Sequence, residues 1–216
     1  MRSAFREELL WPPGRRELTL LALPDLTYDQ ELNTLITEMR ALAKTFPAID
    51  RPVPDEWLHV TMQAINHTLD DPGISPVARQ VLIAELETLF AVTPAFTIRI
   101  GSVLAYGGGM MTDADLDEPF TDLVGHVRKT IAKICGDRSI EYDSRPAHMM
   151  LSYSHGDVEV SEMQARIRRI RPGHAPMTVN TIVLAEVVQD PEQCVYRWEE
   201  LHRFKLRLPS PNNACG

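Results

Sequence analysis

The stretch Trp57-Leu58-His59-Val60-Thr61-Met62 decides how the rest of the chain is read. It places a histidine inside a short apolar run, with a threonine two residues beyond. Residues two apart on a strand share a face, so His59 and Thr61 point into one space while Leu58, Val60 and Met62 pack on the other side. A second run, Ala147-His148-Met149-Met150-Leu151-Ser152, repeats the pattern. There His148 and Met150 share a face, and Ala147, Met149 and Leu151 form the packing side. Two histidines delivered by two similar strands predict a symmetric cleft.

Outward from the first run, Glu17 to Leu23 is a short apolar segment ending at Pro24, the expected first strand. Thr27 and Gln30 have the spacing of a capping box. Leu32, Leu35, Ile36, Met39 and Leu42 then follow helical spacing up to Pro47. A Pro-rich connection, Pro47 to Pro54, leads into the first histidine strand at about 56–65. Ser75-Pro76 reads as an N-cap and first helical position, opening a helix that ends near Pro94. Phe96 to Leu104 alternates as a strand, Tyr106-Gly107-Gly108-Gly109 is a turn, and Met110–Met111 a short strand. Pro119 opens a third helix closed at Cys135-Gly136, and the second histidine strand follows at about 147–154. Val160, Met163, Ile167 and Ile170 mark a fourth helix. Met177 to Val188 and Val195 to Leu206 are two long β-like segments.

This order reads as a duplication of one β/α unit, and alternating strands suit antiparallel sheets with one covered face. The expected fold is α+β: one bilobal domain over 17–207 with a pseudo-twofold, two antiparallel sheets facing a central cleft and helices outside. Residues 1–16 are expected to be an irregular N-terminal segment, and 208–216 a disordered tail.

The chain has 216 residues, 44% hydrophobic and 24% charged, with a formal net charge of −8. That composition is of an ordinary globular protein and lacks the basic footprint that extended duplex binding wants. A small anionic substrate in a locally positive cleft stays compatible with it. Cys135, Cys194 and Cys215 form no metal-ligand spacing and fit reduced thiols of a cytosolic protein. There is no signal-peptide core and no apolar run long enough to cross a bilayer. A cytoplasmic monomer, free of membrane and of extended duplex nucleic acid, is expected.

The two runs resemble the paired His-x-Thr/Ser-x motifs of the two-histidine (2H) phosphoesterase superfamily, the group of 2'-5' RNA ligase-like proteins and cyclic nucleotide phosphodiesterases. His59-Val60-Thr61-Met62 matches in full. His148-Met149-Met150-Leu151 keeps the histidine, with Arg145-Pro146 before it and Ser152-Tyr153 after it, but carries Met150 where a hydroxyl is expected. The resemblance spans roughly residues 17–206. It implies hydrolysis or transfer at a 2',3'-cyclic or 2'-5'-linked phosphodiester of a small nucleotide or RNA end, with no metal and no cofactor.

The residue types suit that chemistry. One group must take a proton from the nucleophile and another must protonate the leaving alkoxide, and a histidine pair can hold opposite protonation states near neutral pH. Hydroxyl donors aimed at the non-bridging oxygens stabilise the transition state. His59 and His148 are therefore the expected catalytic pair, with Thr61 as phosphate donor. Met150 either slows the reaction or lines an apolar pocket. Strand alternation puts Ser152 on the His148 face, where it could stand in for the absent hydroxyl, and turns Tyr153 away toward the core. Arg145 is a candidate phosphate contact and Tyr106 a candidate rim residue. A fold that keeps the cleft and binds without turnover is the alternative, resting on Met150. A metal site would want further ligands beside the histidines, and neither run carries a carboxylate within two positions after its histidine.

Overall fold

The computed structural model describes residues 1–65, 74–116, 118–140, 142–157 and 159–207; the expected disordered tail lies outside them. Twelve main elements follow one another: β1 (Glu17–Ala22), α1 (Gln30–Ala43), β2 (Val60–Ile65), α2 (Pro76–Val92), β3 (Phe96–Tyr106), β4 (Gly109–Leu116), α3 (Glu118–Cys135), β5 (His148–Tyr153), α4 (Val160–Ile167), β6 (Ala175–Val179), β7 (Thr181–Asp190) and β8 (Val195–Lys205). Ser75 caps α2 as its spacing predicts, its Oγ accepting the Ala78 N–H at 3.1 Å. Thr27 does not cap α1. The Asp25 carboxylate instead accepts from the Thr27 and Tyr28 amides, and Asp29 at the helix start accepts from the Thr178 amide and hydroxyl on β6.

The expected pair of facing sheets is corrected to one. All eight strands join in the order β6-β3-β4-β5-β2-β1-β7-β8, with every registered neighbour antiparallel. Two four-stranded halves meet at a seam between β2 and β5, where Val60 pairs with Met149. Val53 N–H donates to the Leu151 carbonyl at 2.8 Å just beyond it. The reason is backbone accounting: as inner edges of separate sheets, β2 and β5 would bury unpaired N–H and C=O groups, and side by side they satisfy one another. The predicted segment 177–188 likewise breaks at Asn180. β6 pairs with β3 in one half and β7 with β1 in the other, so the sheet curls enough for one residue to bridge its two halves.

Around the seam the order is β1-α1-β2 on one side and β4-α3-β5 on the other. Each connecting helix crosses over. α1 packs against β5 and β6, and α3 against β2. The helix-covered face carries the main core, including Leu20, Val60, Met62, Met149, Leu151 and Phe120, all fully buried. The opposite face has a small apolar cluster of Leu21, Val183, Ala185 and Val187, backed by Trp11, Tyr196 and Trp198.

Two β-bulges set which side chains reach that second face. Between β1 and β2 the register runs Leu21↔Thr61 and then Leu20↔Gln63, leaving Met62 unopposed. Between β4 and β5 it runs Met111↔Met150 and then Met110↔Ser152, leaving Leu151 unopposed. Each bulge falls three residues after its histidine. An extra residue reverses the alternation beyond it, so Thr61 and Ala64 share a face, and so do Met150 and Tyr153.

Candidate active site

The face opposite the helices encloses a cavity of about 430 Å³ in which His59, Thr61, His148 and Met150 all line the wall. The two histidines are held alike. His59 Nδ1 lies 2.9 Å from the Trp57 carbonyl, and His148 Nδ1 lies 2.9 Å from the Pro146 carbonyl. A carbonyl only accepts, so each Nδ1 carries the proton and donates, which leaves each Nε2 for the substrate. The pin comes in both cases from the carbonyl two positions upstream, so the two rings share one tautomer.

The environments of the two rings differ. The His59 ring stands edge-on to Trp198 at 5.0 Å, and Trp198 in turn packs on Trp57 at 4.8 Å. Burial against this apolar wall disfavours the imidazolium, and the neighbouring His148 adds to the effect. Against the opposing pull of the Trp57 carbonyl, the two push His59 down to about 4. At neutral pH His59 is a neutral imidazole with a lone pair on Nε2.

The other predicted site residues fall in different places. Ser152 is fully buried, lines no part of this cavity, and has no hydrogen-bond partner for its hydroxyl among the described residues. The bulge at Leu151 turns it away from His148. The same bulge delivers Tyr153, expected in the core, to the cavity wall. Arg145 lies outside the cavity, its guanidinium bound through two nitrogens to Asp143, which holds that carboxyl down at about 2. Tyr106 is exposed at the β3–β4 turn. The adjacent Gly107 and Gly108 line an adjoining hollow with Met150 and Tyr153. Gly109 is required by packing: a Cβ there would meet the Ser152 carbonyl at 2.1 Å.

Sequence reasoning missed several lining groups. Glu17 and Thr19 project from β1 into the cavity, and their i, i+2 spacing was the available signal. Tyr142 is positioned by Arg128 of α3, which donates to its carbonyl at 2.7 Å and to Gln63 at 2.6 Å. The N-terminal segment, expected to be irregular, lies across the cavity. Its Ala4 amide donates to Ser154, Phe5 packs on Tyr153 and Tyr196, and the Trp11 amide donates to Gln189. Burial raises Tyr142, Tyr153 and Tyr196 above the usual phenol range, so all three stay protonated donors. Among the described residues no lysine or arginine lines the cavity, and no three His, Cys, Asp or Glu side chains converge to hold a metal ion. No helix of the described residues is long and apolar enough to cross a membrane.

No protein-family model and no curated protein matches this sequence. Solved structures do match. The protein TT0787 of Thermus thermophilus superposes with a TM-score of 0.64 at 17% identity, over 90% of this chain and 100% of that one. Escherichia coli LigT complexed with 3'-AMP gives 0.59 at 16% identity, over 88% and 98%. A conserved protein of unknown function from Agrobacterium tumefaciens, ATU0111, gives 0.55 at 16%, over 93% and 92%. The chain therefore has the α+β fold of the LigT structures across nearly its whole length.

Proposed function

We propose that the protein is a metal-independent phosphodiesterase acting on a 2',3'-cyclic or 2'-5'-linked nucleotide or RNA end, with His59 and His148 as its acid/base pair. The observation that carries this assignment is the twin pin: two imidazoles on adjacent strands, each fixed through Nδ1, line one cavity with Thr61. Escherichia coli LigT, which shares the fold, was crystallised with 3'-AMP and with phosphate.

His59, neutral at pH 7, serves as base: its Nε2 takes a proton from water as the water oxygen bonds to phosphorus. The ester P–O bond breaks, and His148 Nε2–H protonates the departing ribose oxygen, leaving a phosphomonoester. Thr61 donates to a non-bridging oxygen as charge builds there. Among the described residues the wall has no lysine or arginine and one carboxylate, Glu17, which favours a singly charged diester over a doubly charged terminal phosphate.

A binding protein without turnover is the second reading. Met150 favours it, because the thioether lines the cavity at the position equivalent to Thr61 and the buried Ser152 offers no replacement. Incubation with 2',3'-cyclic nucleotides in EDTA tests both. The proposal expects product, and a loss of about 10²- to 10⁴-fold on His59→Ala or His148→Ala. Unchanged turnover in His59→Ala would sink the acid/base assignment. Calorimetric binding with no product, across cyclic and 2'-5' diesters, would favour the second reading.

A further inference from the structure

A second hollow, of about 660 Å³, lies on the helix-covered side of the sheet and shares no lining residue with the catalytic cavity. Its floor is core: Met39 of α1, Val103 of β3 and Ile167 of α4 are each at most 4% exposed. Its rim is cationic. Arg99, Arg168 and Arg171 line it together with Ser102 and His174, and among the described residues no carboxylate does. The chain as a whole carries a formal charge of −8, yet the run from Arg166 to His174 holds four arginines and no acidic residue.

The backbone builds this rim. Ile100 pairs with Ala114 and Val103 with Thr112, so Gly101 and Ser102 together oppose one residue of β4, a bulge of the kind that re-aims side chains. Gly101, at φ +138°, lets the segment before β6 close on the strand: a Cβ there would meet the Gly173 carbonyl and the His174 ring, each at 2.6 Å. Ser102 is turned out to the surface, its Oγ 3.4 Å from His174 Nε2. Charge at the rim does not balance. Arg99 pairs with Asp115 at 3.2 Å. Arg171 Nη1 donates to the Arg168 and Ile170 carbonyls at 2.9 and 2.7 Å, which covers carbonyls at the end of α4 that would otherwise repel an anion. Nε and Nη2 of Arg171 and the whole guanidinium of Arg168 have no acceptor among the described residues.

We propose that this hollow is a second ligand site, which binds a nucleoside monophosphate through its terminal phosphate. A phosphomonoester carries about −1.5 to −2 charge at neutral pH, which matches the two guanidinium groups left without a carboxylate. Their planar forks suit phosphate oxygens. A carboxylate or a phosphodiester would bring one charge to the same two cations. The aliphatic floor takes an uncharged base, and the volume is that of a small-molecule site. A sugar phosphate, polar all round, would leave that floor unused. The proposed hydrolysis releases compounds of this class, yet nothing in the hollow depends on His59 or His148.

Calorimetry with adenosine 5'-monophosphate, inorganic phosphate and adenosine 3',5'-cyclic monophosphate tests the site, on the native protein and on His148→Ala, which alters only the catalytic cavity. The monophosphate is expected to saturate the site with the same affinity in both proteins. It is expected to bind about tenfold more tightly than inorganic phosphate, which lacks the apolar body, and about tenfold more tightly than the cyclic diester, which carries one charge. Arg168→Gln and Arg171→Gln are each expected to weaken it about tenfold, the lower end for a hydrogen bond to a charged group because the rim is open to solvent, with unfolding midpoints close to the native one. Inorganic phosphate or the cyclic diester binding as tightly as the monophosphate overturns the site. So does monophosphate binding that survives both arginine substitutions, or that is lost in His148→Ala. Arginine-dependent binding in a protein that turns over no diester keeps this site and removes the phosphodiesterase.

Discussion

The depressed His59 ties catalysis to folding, and its size can be worked out. In the unfolded chain the imidazole titrates near 6.5, whereas in the fold burial beside Trp198, reinforced by His148, holds it at about 4. The unfolded state therefore takes up the proton first as pH falls. Stability from this group is full above 6.5 and is lost between 6.5 and about 4. Taking pH 7.5 against pH 4.5, the two-state linkage expression gives a loss of about 2.5 kcal/mol, a large share of a typical 5–15 kcal/mol stability. Urea unfolding of the native protein and of His59→Gln at both pH values, at fixed ionic strength, isolates the term. The native protein is expected to lose about 2.5 kcal/mol more than the variant on acidification. Proton NMR of the ring supplies the second readout, and the acid limb of kcat/KM assigned to the base is expected near pH 4. A ring titrating near 6.5, or equal acid losses in both proteins, would refute the account of His59.

Three substitutions extend the test. Thr61→Val keeps the side-chain shape and removes the donor, so kcat/KM is expected to fall about 10- to 100-fold with an unfolding midpoint close to the native one. Met150→Thr places a hydroxyl at the equivalent position of the other half and is expected to raise turnover of simple cyclic phosphates; a fall would show that the thioether belongs to a specialised pocket. Gly109→Ala drives a Cβ into the Ser152 carbonyl and the Met150 methyl, costing about 1–3 kcal/mol or more, visible as a lowered melting temperature. Native-like melting would mean that the β4–β5 pairing has room to spare.

Much of this architecture was legible in the residues because it is local. The periodicity of Leu32, Leu35, Ile36 and Met39 and the Ser75-Pro76 cap give α1 and α2 their places. The repeated histidine runs point to two similar strands, which lie side by side and bring both rings to one cavity. What alternation could not supply was the bulge. Nothing in Met149-Met150-Leu151-Ser152 says that Leu151 stands unopposed, and that extra residue exchanges Ser152 for Tyr153 on the cavity wall. The seam was hidden for a related reason: whether two strands face each other or pair edge to edge is decided by long-range backbone bonding, which leaves no trace in side-chain pattern. The N-terminal segment was the hardest to read. Its role depends on single contacts such as the Trp11 amide to Gln189, 178 positions away in the chain.

The crossing of α1 and α3 over the seam has a consequence for how such a molecule can be taken apart. Each half of the sheet has its apolar face covered partly by a helix that the other half's strands bracket in sequence. A chain cut between β3 and β4 would leave both pieces with bare β-surface and a helix lacking its seat, so neither is a free-standing unit. Each half supplies one histidine to the shared cavity, and each is covered in part by a helix whose flanking strands belong to the other.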